Sequence, residues 1–64
     1  MKRYMVFCGS IYYPERGMKD FKNSFDDIKY ARKYCKRYLE DNNHSWAQIY
    51  DLETCKIIDE YVRN

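Results

Sequence analysis

The segment 10–23 combines the residue types with which proteins bind nucleotides. Aromatic rings stack on nucleobases, at roughly 1–3 kcal/mol per base, while Arg and Lys neutralise phosphate. Gly17 allows a close approach of the backbone to a ligand, and Asp20 can accept a hydrogen bond from the amino group of a guanine or adenine. The aromatic and basic residues of the segment are Tyr12, Tyr13, Phe21, Arg16, Lys19 and Lys22. Another aromatic residue, Trp46, follows in a β-prone run.

Each of these residues also has an ordinary structural explanation. Tyr12 and Tyr13 would pack well against a helix, and Trp46 is of a type common in protein cores. The basic residues that surround a helix form, by default, a solvated face. Only the combination of aromatic residues, glycine and arginine in one segment favours a nucleotide-like ligand.

The sequence lacks the patterns that mark catalytic and metal sites. It contains no GxxxxGKS, GxGxxG or HExxH motif, and its one histidine, His44, has no nucleophile at a diagnostic spacing. The cysteines lie far apart and are odd in number, which argues against a disulfide framework and against a zinc site: Cys8, Cys35 and Cys55. We therefore expect no enzyme, no cofactor and no metal, with the cysteines as small apolar residues in a reducing compartment.

Length and composition indicate one small ordered domain over residues 1–64. The aromatic content is 19%, with eight tyrosines, and the two glycines and one proline are too few for a solvated chain. No apolar run approaches the roughly 20 residues of a membrane span, and no signal peptide is evident, so we expect a soluble intracellular protein. A chain this short buries only about 60% of its unfolded surface, so its stability is marginal on its own.

The first half of the chain is predicted to form a strand, a loop and a helix. Residues 3–9 are predicted to form a strand that carries apolar side chains on both of its faces. Residues 10–23 are predicted to form a long loop. Ser24 is the predicted N-cap of the helix, and Asp27, three residues later, fits the pattern of a helix start. The helix is predicted to end at residues 41–43. The buried stripe of the helix is Phe25, Ile28, Ala31, Cys35 and Leu39, with a second, aromatic stripe of Tyr30, Tyr34 and Tyr38.

The second half is predicted to form a β-hairpin. The side chains of residues 44–50 alternate between the two faces of a strand, with Ala47 and Ile49 on one face and Trp46 on the other. Residues 51–54 are typical of a turn, and residues 56–62 are predicted to form the last strand. The fold class is therefore α+β, in the order β-α-β-β, with a three-stranded antiparallel-type sheet and one helix on one face. The uncovered face would carry large aromatic side chains, which favours self-association.

Several motifs in this order resemble those of a group of very small phage-encoded proteins. They are the Tyr12-Tyr13-Pro14 loop with its glycine and aspartate, the Ser24-Phe25-Asp26 helix start and the tryptophan-bearing hairpin. The group looks like one family of phage anti-CBASS sponges, small oligomers that sequester cyclic dinucleotide immune signals without cleaving them. Two positions depart from the pattern: Arg16 stands where a second glycine is expected, and Cys55 where the hairpin turn favours glycine.

The resemblance implies a homo-oligomer, a tetramer or a dimer, that acts in the host cytoplasm. It implies that the oligomer binds a cyclic dinucleotide such as 3′,3′-cyclic GMP-AMP at subunit interfaces. Carried over by position, the ligand-binding residues are Tyr12, Tyr13, Arg16, Gly17, Met18, Asp20 and Trp46. A monomer of 64 residues cannot enclose a dinucleotide, so the residues themselves also favour two chains meeting around one ligand.

Two other functions are open at this stage. The first is a small inhibitor or adaptor that binds a host protein through the uncovered aromatic face. The second is a nucleic-acid-binding protein that uses the basic helix and the tyrosines. The net charge of +2 argues against the second, so we do not expect nucleic acid or a membrane as partner.

Overall fold

The structure, a computed structural model, describes residues 2–11 and 20–63. Within these residues the chain forms four strands and one helix, and every pair of neighbouring strands is antiparallel in the sheet order β2-β1-β3-β4. The helix packs against one face of the sheet, mainly on the two central strands. The elements are β1 Tyr4–Ser10, β2 Phe21–Phe25, α1 Ile28–Asp41, β3 Ser45–Asp51 and β4 Lys56–Arg63.

The prediction of three strands is wrong, because β2 takes residues 21–23 from the predicted loop and residues 24–25 from the predicted start of the helix. Its polar sequence FKNSF shows no alternation that would indicate a strand. It forms by pairing with β1, with Ser24 opposite Met5 and Phe25 opposite Tyr4. A polar edge strand satisfies its backbone in this ladder without needing an apolar face of its own.

The predicted start of the helix is also wrong. Ser24 is part of the β1–β2 ladder, and the N-cap is Asp27, whose Oδ1 accepts a hydrogen bond from the backbone N–H of Lys29 at 2.9 Å. An aspartate at this position satisfies a helix N–H that has no partner within the helix. Phe25 consequently leaves the helical stripe and packs from β2 against Tyr34, with ring centroids 5.8 Å apart.

The prediction for the rest of the helix is confirmed in part, because Ile28 and Leu39, which were predicted to be buried, are only half-buried. Ala31 and Cys35 are fully buried, and the helix ends at Asp41 with Asn42 as its C-cap. The side-chain amide of Asn42 donates to the carbonyl of Tyr38 at 2.9 Å, which satisfies one of the carbonyls that the helix end leaves free.

The core is small and lies between α1 and the two central strands. Its six buried apolar residues are Val6 and Cys8 of β1, Ala31 and Cys35 of α1, and Ala47 and Ile49 of β3. Short side chains at these positions let the helix come close to the sheet. Aromatic residues then surround the core and are only partly buried: Tyr4, Phe25, Tyr34, Tyr38 and Tyr61. This ring of tyrosines explains much of the unusual composition, because a phenol covers apolar surface while its hydroxyl stays near water.

A partly buried ion pair joins Arg3, the residue before β1, to Asp51 at the end of β3. The guanidinium of Arg3 donates two hydrogen bonds to the carboxylate of Asp51, at 2.8 and 2.9 Å, and the backbone N–H of Leu52 donates to the carbonyl of Arg3 at 2.9 Å. The Asp51 Oδ1 also accepts from the backbone N–H of Glu53 at 2.9 Å. These bonds, led by the one to Arg3, hold the pKa of Asp51 well below its usual range.

The last strand is tied to the helix by two arginines. Arg32 of α1 donates to the Asp59 carboxylate at 2.7 Å, and the Tyr61 hydroxyl donates to the same oxygen at 3.2 Å. Arg63 donates from β4 to the carbonyls of Leu39 and Glu40 at the helix end. A cation there complements the negative end of the helix dipole.

The hairpin confirms that the side chains of β3 alternate between the two faces of the sheet. It also confirms that Cys55 lies at a turn position that favours glycine. Ala47 and Ile49 are buried, whereas Trp46 on the opposite face is only partly so. Cys55 has a φ of 57°, the left-handed conformation that the turn pattern associates with glycine. The turn residue therefore carries local strain that a glycine would not.

We expect Asp51→Asn to destabilise the protein at pH 7, since it removes the charge that Arg3 binds. The folded-state pKa of Asp51 is depressed, so the stabilisation is complete above about pH 4 and is lost as the pH falls further. Urea unfolding at pH 7 and at about pH 2 checks this: the variant should lose less stability on acidification than the wild-type protein. Glu60→Gln, which removes an exposed carboxylate on β4, is the control and should behave like wild type.

We expect Cys55→Gly to be more stable than Cys55→Ala by about 1 kcal/mol, because only glycine relieves the left-handed strain. Both variants lose the thiol, which donates to the Leu52 carbonyl at 3.6 Å, so their difference isolates the backbone effect. Denaturant midpoints measured side by side check it. Equal midpoints would mean that the turn is unstrained at position 55.

Candidate functional site

The structure describes two of the seven predicted ligand-binding residues. Asp20 and Trp46 lie within it, and the other five fall outside the described residues: Tyr12, Tyr13, Arg16, Gly17 and Met18. What the structure places is therefore the framework on either side of segment 12–19.

Both ends of segment 12–19 attach to the same end of the sheet. Ile11 follows β1, and its backbone N–H donates to the carbonyl of His44 at 2.9 Å, just before β3 begins. Asp20 precedes Phe21 of β2, which pairs with Phe7 of β1. The segment thus leaves the fold beside the beginning of β3, which carries Trp46, and re-enters it on the far side of β1, at β2.

Trp46 is held against the backbone of β1 by a cross-strand glycine. Gly9 lies directly opposite Trp46 in the β1–β3 ladder. A Cβ at position 9 would lie 3.0 Å from the Cζ2 and Nε1 atoms of the indole, which is tighter than most Cβ contacts in proteins. The glycine therefore lets the ring rest on the strand, and this contact fixes the indole on the face of the sheet opposite α1.

An apolar surface, here called the open face, extends from Trp46 across the uncovered side of the sheet. Phe7 and Phe21 meet edge to face with centroids 5.9 Å apart. From β4, Ile57 and Val62 are 48% and 65% exposed, opposite Tyr50 and Trp46 respectively. The open face comprises Met5, Phe7, Phe21, Ser24, Trp46, Gln48, Tyr50, Ile57, Glu60 and Val62, so one carboxylate, opposite Gln48, lies within the otherwise mostly apolar surface. The expectation that the uncovered face carries large aromatic side chains is confirmed.

Asp20 lies on the other side of the molecule from Trp46. It is 5% exposed, and its Oδ2 has no hydrogen-bond partner among the described residues. Its charge adds, after burial and the neighbouring Cys8 and Tyr34, to the raised pKa of Tyr38 on α1, so the carboxylate lies within electrostatic range of the helix. The two described site residues therefore flank the same end of the sheet from opposite faces, and the structure does not bring them into one pocket.

The cysteines in the core have a structural role. Cys8 and Cys35 are fully buried on facing elements, and a hydrogen bond between them together with burial raises the pKa of Cys8, which keeps its thiol neutral. Cys55 is exposed at the hairpin turn. Among residues 2–11 and 20–63, no three His, Cys, Asp or Glu side chains are grouped so that they could hold a metal ion. The helix in this part of the chain is not long and apolar enough to cross a membrane.

The sequence reasoning missed a groove beside α1. It has a volume of about 520 Å³, is open to solvent along its length, and is lined by Phe25, Tyr30, Lys33, Tyr34, Lys36, Arg37 and Glu40. Its wall forms because Phe25 belongs to β2 and packs against Tyr34, whereas the sequence pattern assigned Phe25 to the helix itself. The sequence shows the tyrosine stripe and the basic residues of α1. The groove forms only because β2 lies beside the helix, and β2 was not predicted.

Comparison with known proteins identifies one family. The model of a phage protein family, described as Bacteriophage T4 protein Y07C, matches residues 4–61. No curated protein and no solved structure gives a significant match. The matched range covers β1, β2, α1 and β3 entirely and β4 as far as Tyr61, so the family model spans nearly the whole fold described above.

We expect Gly9→Ala to destabilise the protein by about 1 kcal/mol, because the added methyl group crowds the indole of Trp46, which must move by a few tenths of an ångström to accept it. A shift of the tryptophan fluorescence should accompany the loss. In a Trp46→Leu background the same substitution should cost little, since the clash is gone. A penalty that is equal in both backgrounds would show that the ring does not rest on Gly9.

Proposed function

The chain belongs to the family of Bacteriophage T4 protein Y07C, and on that premise we propose that it is a non-catalytic phage protein that sequesters a cyclic dinucleotide. The proposed ligand is of the 3′,3′-cyclic GMP-AMP type. Capture of this signal in the host cytoplasm would block CBASS defence. Inhibition would follow from mass action alone: tight binding lowers the free signal below the level that its effector needs, without turnover.

The observation that carries the proposal is the position of Trp46 on the open face. The indole is fixed at the end of the sheet where segment 12–19 attaches, and the Phe7–Phe21 pair continues the aromatic surface beside it. Nucleobases stack on aromatic surfaces of this kind. A base that rests on Trp46 would lie within reach of side chains from that segment, where the resemblance puts Tyr12, Tyr13 and Arg16.

Within this proposal Asp20 supports the site and does not meet the stacked base. Its carboxylate lies within electrostatic range of Tyr38, on the helix side of the sheet. A buried oxygen without a partner costs free energy until a donor reaches it. We assign to Asp20 the role of accepting a hydrogen bond that orders the ligand-binding segment.

Homo-oligomerisation is part of the proposal because a flat face cannot enclose a ligand. Small-molecule sites bury most of the ligand surface, and two open faces that meet around one dinucleotide would do so. The extents of the domain, 31 × 21 Å in its two longest directions, give one face a projected area of roughly 650 Å². Two such faces would bury on the order of 1,300 Å² in total, which lies within the range for stable protein interfaces. Ligand bound between them would add to that interface.

One observation favours a second candidate, an inhibitor or adaptor that binds a host protein. Strand β4 is an edge strand, and its side chains Ile57, Ile58 and Val62 are exposed. Exposed edge strands with apolar side chains can be extended by a strand from a partner protein. This alternative needs no small molecule, which separates it from the first in the following experiment.

The test is a titration of the purified protein with a panel of cyclic dinucleotides and trinucleotides, followed by tryptophan fluorescence. We expect submicromolar binding of one member, and mass spectrometry of the ligand released by heating should recover it intact. Trp46→Leu should weaken this binding by more than about tenfold, since it removes one stacking surface. Tyr30→Leu, which changes an exposed aromatic residue on α1, should bind normally.

Failure of the whole panel to bind would contradict the proposal and favour the host-protein inhibitor. Hydrolysis of the captured ligand would contradict the non-catalytic mechanism. Sedimentation with and without the bound ligand reports on assembly: a monomeric complex of one chain with one ligand would overturn the oligomeric part.

A further inference from the structure

We infer that the groove beside α1 is a second binding surface, and that it takes single-stranded nucleic acid. This goes beyond the proposed sequestration, which uses the opposite face of the sheet. The groove brings three aromatic rings and three basic side chains to one side of the helix. Aromatic rings that stack on bases and cations that follow a phosphate backbone are the two elements of sequence-tolerant single-strand binding.

Of the three aromatic rings that line the groove, two pack against each other and one is exposed to solvent. Phe25 and Tyr34 contact each other, with centroids 5.8 Å apart, and so form a fixed surface between β2 and α1. Burial raises the pKa of Tyr34, which keeps its phenol neutral. Tyr30, one turn earlier on the helix, is 62% exposed and makes no contribution to the core. An exposed tyrosine next to a fixed aromatic pair offers a ring face that a base can cover.

The charges of the groove favour an anion. Lys33, Lys36 and Arg37 contribute three positive charges, against the single carboxylate of Glu40. Arg37 also pairs with Asp41 at 3.5 Å, but both side chains are more than half exposed, so a phosphate can replace this contact at little cost. The neighbouring Arg32 is different: Asp59 of β4 holds it at 2.7 Å, away from this role.

The shape of the groove favours a single strand over a free nucleotide or a duplex. Its helical lining runs from Tyr30 to Glu40, about 15 Å along the helix axis, which is room for about four stacked nucleotides. The groove is open along its length, whereas a small ligand needs a pocket that buries most of its surface. A duplex keeps its base faces stacked inside, where Tyr30 could not reach them.

The inference differs from the expectation drawn from the net charge, which argued against nucleic acid. That charge is an average over the whole chain. The fold separates the charges, because the acidic residues Asp51 and Asp59 are occupied by Arg3 and Arg32 away from the groove. Local charge, and not the total, sets the attraction for a phosphate backbone.

The experiment measures the binding of a fluorescently labelled oligothymidylate of about 12 nucleotides by anisotropy, over a range of salt concentrations. Three phosphate contacts predict a slope of log K against log salt of about −2 for a single strand. In Lys33→Gln/Lys36→Gln the salt dependence should weaken to a slope of about −0.7, because one phosphate contact remains. The matched control is Lys29→Gln/Lys56→Gln, which removes the same charge from exposed lysines outside the groove and should keep the wild-type slope.

The stacking part has its own variant. Tyr30→Leu should weaken oligothymidylate binding at least about fivefold, the lower bound for loss of one stacked base. Trp46→Leu, on the open face, should leave this binding unchanged. Circular dichroism should show that each variant is folded, as expected for substitutions at exposed or partly exposed positions.

Four outcomes would overturn the inference. One is the absence of binding at low salt, and another is an equal loss of affinity in the two double-lysine variants. The third is displacement of the oligonucleotide by an equal concentration of mononucleotide, which would make the groove a nucleotide pocket. The fourth is loss of binding in Trp46→Leu with full binding in Tyr30→Leu, which would place the nucleic acid on the open face.

Discussion

The close contact between α1 and the central strands β1 and β3 is the constraint on which the rest of the structure depends. It is made by short side chains, such as Cys8, Ala31, Cys35 and Ala47, and the buried apolar core formed by residues 2–11 and 20–63 consists of six side chains. A core of this size cannot cover more apolar surface. The larger aromatic residues must therefore lie around it or on the opposite face, and both candidate binding surfaces consist of these displaced side chains.

The two surfaces differ in chemistry because they lie on opposite sides of one thin domain. The open face is mostly apolar and nearly flat, and the ring of Trp46 rests on Gly9. Such a face suits stacking and contact with a second chain. The groove beside α1 combines rings with Lys33, Lys36 and Arg37, which suits an anionic polymer. Polar bonds hold this arrangement at its ends, with Arg3 and Asp51 joining β1 to the hairpin and Arg63 capping the helix.

The predictions from sequence succeeded where the spacing of apolar residues fitted only one kind of secondary structure. Alternation placed Ala47 and Ile49 inside and Trp46 on the uncovered side, and helical spacing identified Ala31 and Cys35 as buried. They failed around residues 21–27, where FKNSF has no period and Ser24 was predicted to be the N-cap. Pairing with β1 takes Ser24 into the sheet, and Asp27 caps the helix instead. Of the predicted site, the structure describes Asp20 and Trp46, and it separates them.

The sequence by itself determined the α+β class, the extent of the hairpin, the strained position of Cys55 and the presence of an uncovered aromatic face. These depend on local patterns, because side-chain alternation and turn chemistry act between neighbours in the chain. Only the tertiary structure decided the fourth strand, the pairing of Arg3 with Asp51 forty-eight residues away, and the groove that β2 completes beside α1. These depend on which distant segments meet, and that is set by how the whole chain buries its few short apolar side chains.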